Sequence, residues 1–163
     1  MTDATASAID RFDSDAAARG LDVEVVPRPR ANSLEEAAAQ LGIDPSGLVK
    51  TLVIKKHDGT ALFALVPGGR QISWPKLRAA VGVNKLSMPH QDFALEVTGY
   101  HRGTITPIGS LTALPLWVDS TIAGQRIALG AGRPDHSAFV DADALVSAYG
   151  ANVADISEPA SPR

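Results

Sequence analysis

"LVKTLVIKK", residues 48–56, decides the fold. "HDGT" at 57–60 and "ALFALVP" at 61–67 follow it directly. Two short apolar runs on either side of an Asp-Gly turn predict a β-hairpin. The second run is the expected partner of the first. Lys50 stands near the start of the first run, close to Leu52, Val53 and Ile54, which should be buried. A lysine there either snorkels from the edge of the core or fixes one positive charge inside a cleft. The run alone leaves both readings open.

Before the hairpin, residues 5–19 can form a helix that stops at Gly20, and "LDVEVVP" at 21–27 reads as a short strand. "SLEEAAAQLG" at 33–42 has Ser33 as N-cap, Glu36 three residues on and Gly42 as a stop, the pattern of a capping box. Beyond the hairpin, "SWPKLRAAVG" at 73–82 places Ser73 as N-cap and Pro75 in the first turn, where proline costs no hydrogen bond. A short segment, "NKLSM" at 84–88, and a helical stretch, "QDFALEV" at 91–97, come next. "LPLWVD" at 114–119, "RIALGAG" at 126–132 and "SAFVD" at 137–141 read as strands. "DADALVSAYG" at 141–150 reads as a helix, "NVADI" at 152–156 as an edge strand, and "SEPASPR" at 157–163 as a flexible tail. Hairpin-like neighbours without a strict βαβ rhythm predict an α+β or irregular α/β domain, with a mixed or mainly antiparallel sheet flanked by helices. No repeat, low-complexity block or linker interrupts it, so 1–163 is expected to be a single domain.

Composition narrows the chemistry. The chain has 163 residues, 45% hydrophobic and 20% charged, within the range of ordinary globular domains. No apolar run approaches the ~20 residues of a membrane span, and Met1–Asp10 lacks the features of a signal peptide. The expected location is the cytoplasm, with no membrane partner. The chain contains no cysteine, which excludes disulfides, thiolate metal ligands and a cysteine nucleophile. His57, His90, His101 and His136 show no paired ligand spacing, so neither a metal nor another cofactor is expected. There is also no G-x-S-x-G elbow and no Walker phosphate loop.

The net charge of −3 conceals an uneven distribution. Residues 1–49 carry 4 basic and 9 acidic groups, residues 50–102 carry 8 and 3, and residues 103–163 carry 3 and 6. The middle segment is either an ordinary solvated surface or a small basic face that meets phosphates.

"TGYHRGTITPIG", residues 98–109, holds Gly99, Gly103, Pro107 and Gly109. Glycine permits positive φ and close approach to a ligand, and proline fixes the chain between them. The segment therefore reads either as a structured turn or as a ledge for a ligand. "GAGRPDHSAF" at 130–139 is a second glycine-bearing loop, which could form a facing wall.

Three of these stretches taken together resemble one family. "VKTLV" at 49–53, "TGYHRGTITPIG" at 98–109 and "GAGRPDHS" at 130–137, followed by "DADALVSAYGANVADIS", are similar to the YbaK/EbsC-like family of aminoacyl-tRNA deacylases. That family is related to the editing domain of bacterial prolyl-tRNA synthetases. The resemblance runs from about residue 20 to about residue 157. It implies a curved, mainly antiparallel sheet with flanking helices. It also implies a hydrolase that cleaves the ester of mischarged aminoacyl-tRNA, mischarged prolyl-tRNA among the candidates, and so preserves translation fidelity.

The resemblance implies roles for particular residues. Lys50 matches the family's essential lysine, and Gly103–Pro107, "GTITP", its G-x-x-x-P loop. Lys50 and Gly103 are the implied catalytic positions. Gly99, Thr104, Ile105, Thr106, Pro107, Gly132, His136 and Ser137 are the implied substrate-binding positions. Whether His136 or Ser137 takes the third-motif role stays open. The implied partners are the acceptor end of aminoacyl-tRNA and an aminoacyl-tRNA synthetase. The alternative is a non-catalytic module that binds that end of tRNA or docks on a synthetase.

Overall fold

The hairpin of residues 48–67 forms the centre of the fold. The structure, a computed structural model, describes residues 3–160. Along the chain run α1 (Asp3–Ala18), β1 (Glu24–Pro27), α2 (Leu34–Leu41), β2 (Val49–Lys56), β3 (Ala61–Pro67) and β4 (Arg70–Ile72). Then come α3 (Trp74–Val81), β5 (Leu86–Ser87), α4 (Gln91–Thr98), β6 (Leu116–Asp119) and β7 (Arg126–Gly130). The chain continues through β8 (His136–Asp141), α5 (Ala142–Tyr149), β9 (Asn152–Ala154) and β10 (Ser157–Pro159).

Strands β2 and β3 pair antiparallel from Val49↔Pro67 to Lys55↔Ala61. Every residue of β3 is buried. Phe63 and Leu65 enter a larger core together with Val49 and Val53 of β2, while Leu62, Ala64 and Val66 enter a smaller one with Ile54. The two-residue alternation of strands thus feeds two cores from one hairpin. The main sheet has the order β5-β2-β3-β6-β9, and β1-β8-β7 forms a second sheet. Five of the seven strand pairings among the described residues are antiparallel; β3–β6 and β6–β9 are parallel. A parallel bridge between Leu48 and Ala128 joins the two sheets at the mouth of β2.

The helix signals hold in detail. Ser33 Oγ accepts the Glu36 N–H at 3.0 Å, and Gly42 closes α2 in the left-handed region at φ 70°. Ser73 caps α3 and Asp141 caps α5. Helix α1 places Phe12 and Ala16 in the larger core.

The expected flexible tail is corrected in part. Its first residues form β10, which pairs with β4 through Ser157↔Ile72 and Pro159↔Arg70. Arg70 Nε donates to Ser157 Oγ at 2.7 Å, and Ser157 is fully buried. The rest of that tail, 161–163, lies outside the described residues. No described helix is long and apolar enough to cross a membrane.

Candidate functional site

Strand β5 covers β2 only at Lys55 and Lys56, so the edge of β2 around Lys50–Val53 is left without a strand beside it. A cavity of about 660 Å³ opens against that edge. Lys50, Thr51, Gly103, Ile105, Gly130, His136 and Ser137 line it, together with Arg28, Arg102 and Met88. None of its lining residues is acidic.

Lys50 is exposed, with no ion pair or side-chain hydrogen bond among the described residues. Desolvation against the cavity wall lowers its pKa below the ordinary 10.5. On the next residue, Thr51 Oγ1 is buried with no hydrogen-bond partner. A buried hydroxyl without a partner is costly to the fold.

The glycine loop enters from α4, which Gly99 ends at φ 74°. A tight turn follows: the Thr104 N–H and Oγ1 both donate to the His101 carbonyl, at 3.0 and 2.8 Å. Gly103 sits in that turn at φ 88°, and a Cβ there would meet nothing within 4 Å. The N–H groups of Gly103 and Ile105 find no partner among the described residues. The N–H groups of His101, Arg102 and Thr106 are also unpartnered, and of these five residues Arg102, Gly103 and Ile105 line the cavity. Ile105 lines the cavity, while Thr106 and Pro107 are buried away from it.

The second glycine loop holds the first in place. The Gly132 N–H donates to the Thr104 carbonyl at 2.9 Å. A Cβ on Gly130 would collide with the Ile105 carbonyl oxygen, so only glycine lets β7 and the loop come this close. Gly132 itself lies against Tyr100, 2.7 Å from where its Cβ would be, and does not line the cavity. Gly99, Thr104, Thr106, Pro107 and Gly132 therefore support the loop from behind. Lys50, Gly103, Ile105, His136 and Ser137 face the cavity.

At the third motif, Asp135 takes the left-handed region at φ 58°, the only non-glycine to do so among the described residues. His136 Nδ1 lies 2.7 Å from the Pro134 carbonyl. A carbonyl can only accept, so Nδ1–H is the donor, and in the neutral imidazole Nε2 is then the acceptor nitrogen. Ser137 Oγ accepts from Arg28 Nε at 2.9 Å. That contact makes Ser137 an anchor for the Arg28 guanidinium.

Sequence reasoning missed Arg28, Arg102, Thr51 and Gly130. Arg28 lies in the acid-rich first third, where the segment balance masks it. Its pairing with Ser137 depends on the register Val26↔Ser137, which joins residues far apart in the chain. Among the described residues no group of three or more His, Asp or Glu comes together in a way that could hold a metal.

The fold and site define an α+β domain with an acid-free cleft and unpaired backbone donors. The sequence profile of the aminoacyl-tRNA editing domain matches residues 28–148, and the chain belongs to that family. It is similar to proline–tRNA ligases: 36% identical over 98 residues to that of Thermosipho melanesiensis, covering 60% of this chain and 16% of the ligase. Against the Nitratidesulfovibrio vulgaris ligase it is 30% identical over 128 residues, covering 76% of this chain and 22% of the ligase. The chain thus spans only about a sixth to a fifth of these relatives.

Among solved structures it resembles one described as a candidate trans-editing enzyme for prolyl-tRNA synthetase. That match has a TM-score of 0.84 and 28% identity, and covers 93% of this chain and 97% of that one. A hypothetical protein aligns at TM-score 0.83 with 27% identity, covering 91% and 99%.

Proposed function

We propose that the protein is a deacylase that hydrolyses the ester between a wrong amino acid and the terminal ribose of a tRNA, acting in trans. Mischarged prolyl-tRNA leads the candidate substrates. The observation that carries this reading is the junction of an unpaired Lys50 with the spare N–H groups of Gly103 and Ile105 in one cavity. Its volume, about 660 Å³, falls in the range of small-molecule sites, roughly 300–1,000 Å³. An aminoacyl group and the nucleoside that bears it are of that size.

In this reading the oxygen of a water adds to the ester carbonyl, and the carbonyl oxygen becomes an oxyanion. The loop N–H groups donate to that oxyanion, where donors fixed in advance are worth most. The C–O bond to the ribose then breaks, and the ribose oxygen leaves with the proton that the attacking water gave up to His136. His136, which lines the cavity and has Nδ1 held by the Pro134 carbonyl, takes the proton from the attacking water at Nε2 in this reading. The Lys50 ammonium stabilises the developing negative charge or a nearby phosphate. The water-attack route uses no metal and no organic cofactor.

The test is a panel of mischarged tRNAs, mischarged prolyl-tRNAs included, scored for loss of labelled amino acid. Release from at least one of them, faster than without protein, is expected. Tight binding of the acceptor end with no release from any member would replace the deacylase with the non-catalytic module.

A further inference from the structure

A second cavity, of about 410 Å³, lies at the opposite end of β2. It is lined by Lys56, His57 and Asp58 of the hairpin turn and by Val83, Asn84 and Lys85 ahead of β5. Its one carboxylate, Asp58, is engaged through Oδ1, which accepts from the Thr60 N–H at 3.0 Å and from Thr60 Oγ1 at 2.6 Å. Lys56 acts on Asp58 through space, but neither Lys56 nor Lys85 forms an ion pair among the described residues.

Several cations elsewhere on the molecule are tied down. Arg11 donates to the Gly99 and Gly109 carbonyls, Arg19 pairs with Asp15, and Arg70 holds Ser157. Lys76 pairs with Asp155, and Arg126 with Glu24. Those charges serve the fold, whereas Lys50, Lys56, Lys85 and Arg102 have no such partner among the described residues; Arg30, Arg78 and Arg133 are also unpartnered, but they line neither cavity.

The two cavities share a wall. β5 lies on β2 at Lys55↔Ser87 and Lys56↔Leu86, and the segment around it supplies Val83–Lys85 to one cavity and Met88, Pro89 and Gln91 to the other. Lys50 and Lys56 are six residues apart and so lie on the same face of β2, about 20 Å from each other at ~3.4 Å per residue. That distance is the span of a few nucleotides of strand.

We propose that this second cavity is a phosphate subsite, through which Lys56 and Lys85 grip the RNA backbone leading to the acceptor end held at Lys50. Asn84 adds a neutral donor and acceptor for a phosphate or a ribose hydroxyl. The subsite rests on the deacylase reading for the identity of the strand, but its grip on RNA does not depend on catalysis. Charge spaced along a path that runs into a cavity favours a nucleic-acid strand over an acidic protein surface.

The experiment compares the wild-type protein with a Lys56→Gln, Lys85→Gln double variant, both checked by thermal melting. Binding of an uncharged acceptor-stem minihelix is measured between 50 and 200 mM salt. Loss of two phosphate contacts should reduce the slope of log K against log salt by roughly 1.4–1.8. The ratio of kcat/KM on the aminoacylated minihelix to that on an aminoacyl-adenosine should fall as well. An unchanged slope overturns the subsite, including the case in which an acidic protein is the true occupant. A wild-type protein that does not bind the minihelix overturns it too. Salt-sensitive, lysine-dependent binding without hydrolysis of any ester would defeat the deacylase reading and leave the subsite standing.

Discussion

Gly103 and Gly109 belong to one loop and share a left-handed backbone, at φ 88° and 77°, but their surroundings have nothing in common. A Cβ on Gly103 would project into open space beside the cavity. One on Gly109 would lie 2.5 Å from the Tyr100 hydroxyl and 2.6 Å from the Phe12 nitrogen. The end of the loop at Gly109 is clamped. Its N–H donates to Asp15 at 2.9 Å, its carbonyl accepts from Arg11 Nε at 3.1 Å, and Tyr100 donates to the Ile108 carbonyl at 2.7 Å. Burial pushes the Tyr100 pKa up to about 12, so this donor keeps its proton across the physiological range. Rigidity at one end is what allows the other to present unpaired donors without collapsing onto them. The glycines of this loop divide into those that build it and the one that leaves room in front of it.

The largest effect should come from breaking the clamp. Gly109→Ala adds left-handed strain and overpacking, each of about 1–3 kcal/mol, for a loss of about 3 kcal/mol or more. Thermal melting should show a drop on the order of 10 °C, at 2–4 °C per kcal/mol for a chain of this size. A variant that melts like the wild type would mean that α1 yields easily and that the clamp is soft.

Lys50→Ala should leave the melting temperature close to wild type and lower deacylation by roughly 10²–10³, the scale of losing one fixed charge-stabilising group. Because desolvation lowers the Lys50 pKa, activity carried by the ammonium should decline on the alkaline side at a pH below the ordinary 10.5. Lys50→Arg, which stays protonated, should lack that decline. Rates corrected for spontaneous ester hydrolysis decide the matter. A folded Lys50→Ala protein with normal turnover removes the lysine from the mechanism.

How far the chain could be read depended on how local each signal was. The β2–β3 hairpin, the Ser33 and Ser73 caps and the Gly42 stop are set by neighbours within a few residues, and all were legible. The β4–β10 pair was not: three residues after a Gly-Gly turn meet "SEP" near the C-terminus, a composition that reads as a tail. What makes "SEP" a strand is Arg70 and Lys76, both donating to the Ser157 carbonyl at 3.1 Å, contacts no local pattern announces. The cavity-facing set divides in the same way. Lys50 and Gly103 stand out by motif, but spacing cannot tell which side of a loop a glycine serves. Gly132 shows this: the family resemblance implies a substrate position, while its backbone packs on Tyr100.

Gly103→Ala tests the open end of the comparison. With no atom within 4 Å to clash, only the backbone strain of about 1–3 kcal/mol remains. Its loss of stability should therefore be smaller than that of Gly109→Ala. Its kcat/KM should fall by more than the folded fraction does, because the new methyl group stands where the ester is proposed to sit. Melting curves and rates on one preparation separate the two effects. A destabilised protein with full activity per folded molecule would show that Gly103 serves the turn alone.

The smallest effect, and the most discriminating, belongs to Thr51→Val. Valine keeps the β-branched shape and the strand preference, and replaces only the hydroxyl with a methyl group. The Thr51 hydroxyl is buried beside the cavity with no protein partner, and an unsatisfied buried group costs about 1–3 kcal/mol. Removing it should leave the protein as stable as the wild type or up to about 1 kcal/mol more so, a rise of a few degrees in melting temperature. If the hydroxyl contacts the bound substrate, the same change lowers kcat/KM, and most for those aminoacyl groups that offer it a hydrogen-bond partner. Stability and activity would then move in opposite directions, as expected of a polar group retained for a ligand rather than for the fold. Equal kcat/KM for every member of the mischarged panel would assign the Thr51 hydroxyl to a bound water and leave substrate contact to Lys50 and the Gly103 turn.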